Sequence, residues 1–531
     1  MATLGNAIEL KSNNKSNLTL SAEEREQGTY VIGTTGTGKT TLLRNIAVED
    51  MWHLPDHGLC VLDPHGDLTR ELLEWVPPHR MDQVVYLNAM DLDRPFGLNL
   101  LECDREDEHQ RRWVVSTIME TLHRLFWYSW GPRLEHVLHH TIRTALEIDD
   151  STFIEMLMLL TSREYRDEMV GPRQKDVLLA EKEVGVLRDD NGEVDYLLAS
   201  FWHEWFHLLS PNTQSETVAS TVNKLSPFLL DKMMRHIIGQ SKSTFDLGTI
   251  MDEGKILLVN LSKGELGENN SALLGSVLVN LILIAALRRQ GGGDGKGRKP
   301  FHVIVDEYQN FANPSFSILQ SEARKFGVDL IVAHQYRDQL DQDSRGASMN
   351  VGNFIVFRVS GRDSYMLASQ FDNTPPPPEV RKEPEYRPFT NEAGTFYQEM
   401  KGDYGTKVYK DVEQPRRPYS DVEAETANTL STLRNYQAYC RLIRRPKGEK
   451  TYLGEYVVET FANPYVSHPD LKLNHEGRPV NGAAIRDTCI ALSRKWYGKD
   501  VEEVKNEILE RSGGRVRTDD LPPGMIYTDM E

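Results

Sequence analysis

The chain has 531 residues, 39% of them hydrophobic and 26% charged, and a formal net charge of −18. Those values describe a folded chain of two to four domains. They exclude a surface that coats itself uniformly in nucleic acid, but not a local basic channel.

Four cysteines, Cys60, Cys103, Cys440 and Cys489, show no metal-ligand spacing and form no disulfide framework, which suits a reducing, cytoplasmic compartment. The amino terminus lacks the basic start and apolar run of a signal peptide.

Residues 1–20 are polar and read as an arm or a short edge strand. Residues 28–46 read strand, glycine loop, helix. Their core is Gly33-Thr34-Thr35-Gly36-Thr37-Gly38-Lys39-Thr40-Thr41, the G-x-x-x-x-G-K-T spacing of a phosphate-binding P-loop. The glycines bring backbone N–H groups onto phosphates with no side chain in the way. Lys39 is placed to reach the β- and γ-phosphates, and the Thr40 hydroxyl to hold Mg²⁺. The helix that follows turns its positive end to the anion.

Residues 58–68, GLCVLDPHGDL, are a short apolar strand running into a turn with two acids and a histidine. Spacing leaves a plain turn and a ligand-facing strand end equally open. Residues 83–88 are a further strand, and 96–102 lead away from it. From about 105 to 240 the pattern turns helical: Trp113, Ile118, Leu122 and Leu125 share one face, Leu134, Leu138 and Ile142 another. Asp149-Asp150-Ser151 precedes a helix start at Phe153. His136, His139 and His140 read as a helix surface or a partner-facing patch rather than a metal site. His203-Glu204-Trp205-Phe206-His207 has the spacing of a zinc protease but no evident third ligand, and its aromatic residues read as core anchors.

Beyond Phe245, residues 255–261 are an apolar strand. The apolar run 272–287 is close to membrane-span length, but it contains Asn280 and runs closely into a nucleotide-site strand, so it reads as a buried helix. Residues 291–299 read as a mobile loop. Residues 301–307, FHVIVDE, form a strand ending in the Walker B pair: Asp306 to hold Mg²⁺ through water, Glu307 to polarise the attacking water. Residues 330–335 are the next strand, ending in Gln335 as a polar sensor. Residues 353–359 are another core strand. Pro375 to Pro378 break the chain, and the segment to about 425 reads as a polar loop or flap. Residues 433–443 and 452–460 read as strands closing the core. Residues 483–497 and 501–511 read as amphipathic helices before a polar tail.

The ordered motifs GTTGTGKTT, CVLDPHGDL, FGLNLLE, WGPRLEHVL, ILLVNLSKGELGE, VIVDEYQNF, EARKFGVDLIVAHQY and NFIVFRVS resemble the HerA/FtsK-type ATPases. The branch they are most similar to is the coupling proteins of conjugation and type IV secretion, the TraG/TraD group. The resemblance spans roughly residues 28–460 and implies an α/β, RecA-like P-loop NTPase core with an inserted all-α domain and a C-terminal helical appendage. It implies ATP and Mg²⁺ as cofactors, DNA as substrate, and assembly with itself into a homohexameric ring. A relaxase, a nuclease or a secretion-channel component is implied as a further partner.

Carried over by position, Lys39 and Thr40 serve phosphate and metal, Asp306 and Glu307 are Walker B, and Gln335 is the sensor. Arg324 acts on the neighbouring subunit's nucleotide, with Arg358 as the other candidate. The membrane-spanning helices that begin such coupling proteins have no counterpart here, so the expected location is cytoplasmic or peripheral to a membrane. The expected division is an arm (1–20), an ATPase core in two parts (21–104 and 245–462), a helical insert (105–244) and a C-terminal appendage with its tail (463–531). The alternatives are a DNA-packaging or DNA-repair motor of the HerA kind and a secretion ATPase acting on protein.

Overall fold

The computed structural model describes residues 2–10, 12–171, 185–187, 195–289, 298–312, 314–340, 342–378, 380–385, 390–391, 394–395, 408–413, 416–446, 448 and 450–513. The expected mobile loop at 291–299 and the polar tail lie largely outside these residues.

The strands, in chain order, are β1 (Ala2–Glu9), β2 (Lys15–Leu20), β3 (Thr29–Ile32), β4 (Gly58–Asp63), β5 (Val84–Asn88), β6 (Ile256–Asn260), β7 (Phe301–Val305), β8 (Val328–His334), β9 (Asn353–Val356), β10 (Val380–Glu385), β11 (Thr390–Asn391), β12 (Gly394–Thr395), β13 (Val408–Glu413), β14 (Gln437–Arg444) and β15 (Tyr452–Thr460). Eleven of them make one sheet in the order β2-β1-β15-β14-β9-β3-β8-β7-β4-β6-β5. From β9 to β5 every pairing is parallel. From β9 outward through β14, β15, β1 and β2 every pairing is antiparallel.

The parallel strands are continuous apolar runs because both faces are covered. Alternate residues serve opposite cores. Tyr30, Cys60, Val303 and Val332 face one; Val31, Val61, Ile304 and Ile331 face the other. Helices Lys39–His53, Asp67–Leu73 and Gly482–Tyr497 contribute to the second core. The first core runs on without a break into the helices between β5 and β6, from Glu108–Leu125 to Lys232–Ile238.

The apolar run 272–287 lies in the helix Glu268–Arg288. It is the one described helix long and apolar enough to cross a membrane, and its apolar window is 72% buried inside the fold. It packs against Glu108–Leu125 and Pro314–Glu322.

Several local expectations shift. In place of an arm or one short edge strand, β1 and β2 pair antiparallel, with β2 at the sheet edge and β1 paired to β15. The helix beginning at Phe153 is capped by Thr152, in a capping box with Glu155, one residue after Asp149-Asp150-Ser151. The stretch 375–425 holds the antiparallel pair β10–β13 and the start of a helix, Tyr419–Thr432. That helix buries only Thr426, Ala427 and Leu430, so its apolar stripe is too thin to stand out in sequence. The strand expected from 433 begins at Gln437. The two C-terminal helices pack against the sheet edge and the helical region: Ser493 exchanges hydrogen bonds with the Tyr86 backbone, and Arg511 donates to Glu155 and Gly239.

Candidate nucleotide-binding and hydrolysis site

The strand order builds the site. β3, which feeds the P-loop, is separated from Walker B strand β7 by β8 alone. The residue after β8, Gln335, therefore emerges between the P-loop and Glu307.

The loop from Gly33 to Gly38 is pinned from below and from the side. Thr34 N–H donates to the Arg358 carbonyl at 2.8 Å, and Thr37 Oγ1 donates to the Thr34 carbonyl at 2.7 Å. Gly36 and Gly38 have φ of 76° and 112°, where any side chain is strained. A Cβ on Gly33 would stand 2.5 Å from Cβ of Phe357. Helix Lys39–His53 starts at Gly38 with no side-chain cap, so its first N–H groups point into the loop.

Lys39 is buried, and its ammonium donates to the carbonyls of Gly33 at 2.7 Å and Thr34 at 3.3 Å. Burial lowers its pKa, against the opposing pull of Glu307 and Asp306. Thr40 Oγ1 donates to Asp306 Oδ2 at 2.9 Å. Burial pushes the Asp306 carboxyl up to about 6, with Glu307 and Asp63 adding like charge and Thr40 opposing. A buried carboxylate among acids, touching a threonine hydroxyl, is an oxygen donor set that fits a hard divalent cation.

Glu307 sits in the left-handed region, φ 48° and ψ 48°. Such strain in a residue other than glycine gathers at functional sites. Both of its carboxylate oxygens are held. Gln335 Nε2 donates to Oε1 at 2.8 Å, and Gln309 Nε2 donates to Oε2 at 2.6 Å. Gln335 in turn accepts from Thr35 Oγ1 at 3.1 Å. The structure thus brings Thr35, Lys39, Thr40, Asp306, Glu307 and Gln335 together. Beneath them, His334 is buried against the Tyr30 hydroxyl at 2.6 Å, and burial drives its pKa down to about 3.

Arg324 lies elsewhere. It is in the short turn Ala323–Phe326 before β8, at the opposite end of the sheet, half exposed and 3.6 Å from Glu26. Arg358 is on the near side, where its guanidinium donates to Asn435 Oδ1 at 3.0 Å. Asp63 is a turn-former: its carboxylate accepts from the backbone N–H of His65 and Thr69.

Sequence reasoning passed over two residues here. Gln309 was one position among polar neighbours. Tyr436 falls within the strand that residues 433–443 suggest, but it precedes β14. Its backbone is left-handed, φ 62°, fixed by donation to the Thr37 carbonyl at 2.8 Å and acceptance from Thr460. Its ring lies over Gly38, with Cδ1 2.8 Å from where a Cβ would stand, and it is 46% exposed. The glycine on one side and the unusual tyrosine backbone on the other are only meaningful together.

The H-E-x-x-H stretch falls on a π-helical turn, Ser200–Phe206. His203 Nε2–H donates to the Val170 carbonyl, and Trp202 Nε1 donates to Thr144. Among the described residues no group of His, Cys, Asp or Glu is placed to hold a metal ion by itself. His140 stacks on Phe201 with ring centroids 4.4 Å apart.

No protein-family model and no curated protein sequence matches the chain. Solved structures do. The plasmid coupling protein TrwB in complex with ADP and Mg²⁺ covers 88% of this chain and 97% of its own, at a TM-score of 0.51 and 14% identity. Its complex with a non-hydrolysable ATP analogue covers the same shares at 0.50 and 15% identity. The unbound bacterial conjugative coupling protein TrwBdeltaN70 covers 84% of this chain and 88% of its own at 0.50 and 14% identity. At this distance in sequence the likeness speaks for architecture, and the chain has the RecA-like P-loop NTPase fold of the coupling protein TrwB.

Proposed function

We propose that this chain is an ATP-driven motor that translocates DNA, of the kind that couples substrate to a conjugative or type IV secretion channel. The observation that carries it is the linked set Thr35–Gln335–Glu307 beside Thr40–Asp306, over a P-loop with Lys39 at its helix start. A triphosphate settling on that loop exchanges the carbonyl partners of Lys39 for phosphate oxygens. Thr40 and Asp306 hold Mg²⁺ beside it, and Glu307 and Gln335 orient the attacking water. TrwB was solved with ADP and Mg²⁺ and with an ATP analogue, which supports ATP and Mg²⁺ as the pair for the matching fold here.

Tyr436 lies beside the P-loop helix start, and its exposed ring would offer a stacking face to a purine attached to those phosphates. Arg324 stands too far from its own site to serve it, so it acts on a neighbour's nucleotide in a ring, which the resemblance makes a hexamer. The division into arm, two-part core, helical insert and C-terminal appendage fits this reading. So do a cytoplasmic or membrane-peripheral place and a relaxase, nuclease or channel partner.

The test is ATP turnover with and without single- and double-stranded DNA. Lys39→Ala should abolish turnover with the fold intact, and Glu307→Gln should retain ATP while losing a factor on the order of hundreds in rate. A wild-type ATPase indifferent to every DNA would favour a protein-secretion motor instead.

A further inference from the structure

A second surface is wired to Glu307 from outside the nucleotide pocket. The helix Glu108–Leu125 ends in a short turn, Trp127–Ser129, before the helix Pro132–Leu146 begins. Trp127 and Tyr128 are each 72% exposed, the most exposed large hydrophobic side chains among the described residues. Their rings stand perpendicular, centroids 6.4 Å apart, so they do not stack face to face on each other. Two bare aromatic rings at one tip are costly in water unless something covers them.

The surroundings say what covers them. Residues 121–134 hold no acidic side chain, in a chain with 79 acids among 531 residues. They do hold His123, Arg124 and Arg133. Arg133 is exposed and makes no ion pair or hydrogen bond among the described residues. Glu135 lies just beyond and is taken up by Trp130 Nε1 at 3.2 Å. Exposed aromatic faces beside cations suit stacked bases and their phosphates.

The same helix end reaches the catalytic strand. Arg124 Nη2 donates to the Gln309 carbonyl at 2.6 Å, and Gln309 Nε2 donates to Glu307 Oε2 at 2.6 Å. With Gln335 on Oε1, Glu307 has a donor on each oxygen, which fixes the direction in which the remaining lone pairs of its carboxylate meet water.

We propose that the turn Trp127–Ser129 is a stacking platform for single-stranded nucleic acid, and that Arg124 and Gln309 carry its occupancy to Glu307. Stacking draws the helix end outward, Arg124 loosens its hold on the Gln309 carbonyl, and Gln309 releases Oε2 so that the carboxylate turns toward the attacking water. The inference rests on Glu307 acting on that water, as proposed above. Arg124 and Gln309 are positioning residues; neither faces the P-loop.

The test uses the full chain and a 20-nucleotide oligothymidine. Three things are expected. Iodouridine substituted into the oligonucleotide photocrosslinks to the peptide carrying Trp127 and Tyr128. The double variant Trp127→Ala/Tyr128→Ala binds it roughly tenfold more weakly or worse, and loses the ratio of stimulated to unstimulated turnover. Arg124→Ala raises unstimulated turnover severalfold and no longer responds, whereas a merely structural role would lower it. Crosslinks confined to other peptides overturn the inference, as does a double variant with normal stimulation. So does a double variant that binds oligothymidine normally but fails to self-assemble, because the platform then serves a protein contact. If wild-type turnover survives Lys39→Ala, the reading of the nucleotide site has failed instead.

Discussion

Gln335 Nε2 donates to Glu307 Oε1 at 2.8 Å while its own amide oxygen accepts from Thr35 at 3.1 Å, so one side chain ties the Walker B acid to the P-loop. Gln335→Ala cuts that tie without touching Lys39 or Thr40. Nucleotide affinity should change little, and single-turnover hydrolysis should fall by a factor on the order of ten to a hundred. Gln335→Glu sets a like charge against Glu307 and should be at least as slow. A raised Kd with unchanged single-turnover rate would make Gln335 a binding residue only.

Tyr436 and Gly38 form the next testable pair. Tyr436→Ala should weaken ATP and ADP binding by roughly tenfold, while Tyr436→Phe keeps the ring and stays near wild type. Equal binding by all three proteins would remove the purine from this ring. Gly38→Ala is different in kind. It forces a side chain to φ 112° and against the Tyr436 ring, so both folding of the loop and binding should suffer.

Much of this site is readable along the chain because each part is local: a glycine loop before a helix, and Asp-Glu or Gln at the end of an apolar strand. The sheet order β3-β8-β7 that places Gln335 between Lys39 and Glu307 is not local, because it depends on how distant strands pair. What stayed hidden depends on two distant segments meeting. Tyr436 means nothing until its ring lies on Gly38, 398 positions earlier in the chain. Gln309 means nothing until Arg124 reaches its carbonyl. The helix Tyr419–Thr432 was missed for a plainer reason, since only three of its side chains are buried.

His236 gives a pH prediction. It is 4% exposed in the helix Lys232–Ile238, and neither ring nitrogen has a hydrogen-bond partner among the described residues. Burial lowers its pKa to about 4, aided by Arg235, Lys505 and Lys232 and opposed by Glu502. The unfolded chain takes up the proton first, so stability is complete above the ordinary value of about 6.5 and is lost as pH falls toward 4. At pH 5 the loss from this one group is on the order of 2 kcal/mol. His236→Phe should therefore narrow the drop in the urea midpoint between pH 7.5 and pH 5. An unchanged drop would mean that His236 titrates normally.

Arg324 and Arg358 divide the two ends of the sheet, and in the proposed ring that separates the one able to reach a neighbour's nucleotide from the one beside its own. Lys39, Thr40, Asp306 and Glu307 all lie past the carboxyl ends of their strands. Arg324 precedes β8, whose seven residues span roughly 23 Å at 3.3 Å each. No arginine side chain closes that distance within its own subunit. Its resting partner is Glu26, at 3.6 Å, which also takes Arg445 at 3.2 Å. A half-exposed pair of that length holds weakly, so Arg324 leaves it at little cost when a neighbour docks. Arg358 already donates to Asn435 beside its own P-loop. Arg324→Ala should bind ATP normally and hydrolyse it about a thousandfold more slowly, the scale of an arginine supplied in trans. Mixing Arg324→Ala with Lys39→Ala subunits should restore part of the rate, because an intact P-loop in one then meets an intact arginine in the other. Glu26→Gln should leave turnover near wild type, since in the proposed ring Arg324 has already left Glu26. Full activity in Arg324→Ala, or rescue by mixing seen with Arg358→Ala and never with Arg324→Ala, transfers the role to Arg358.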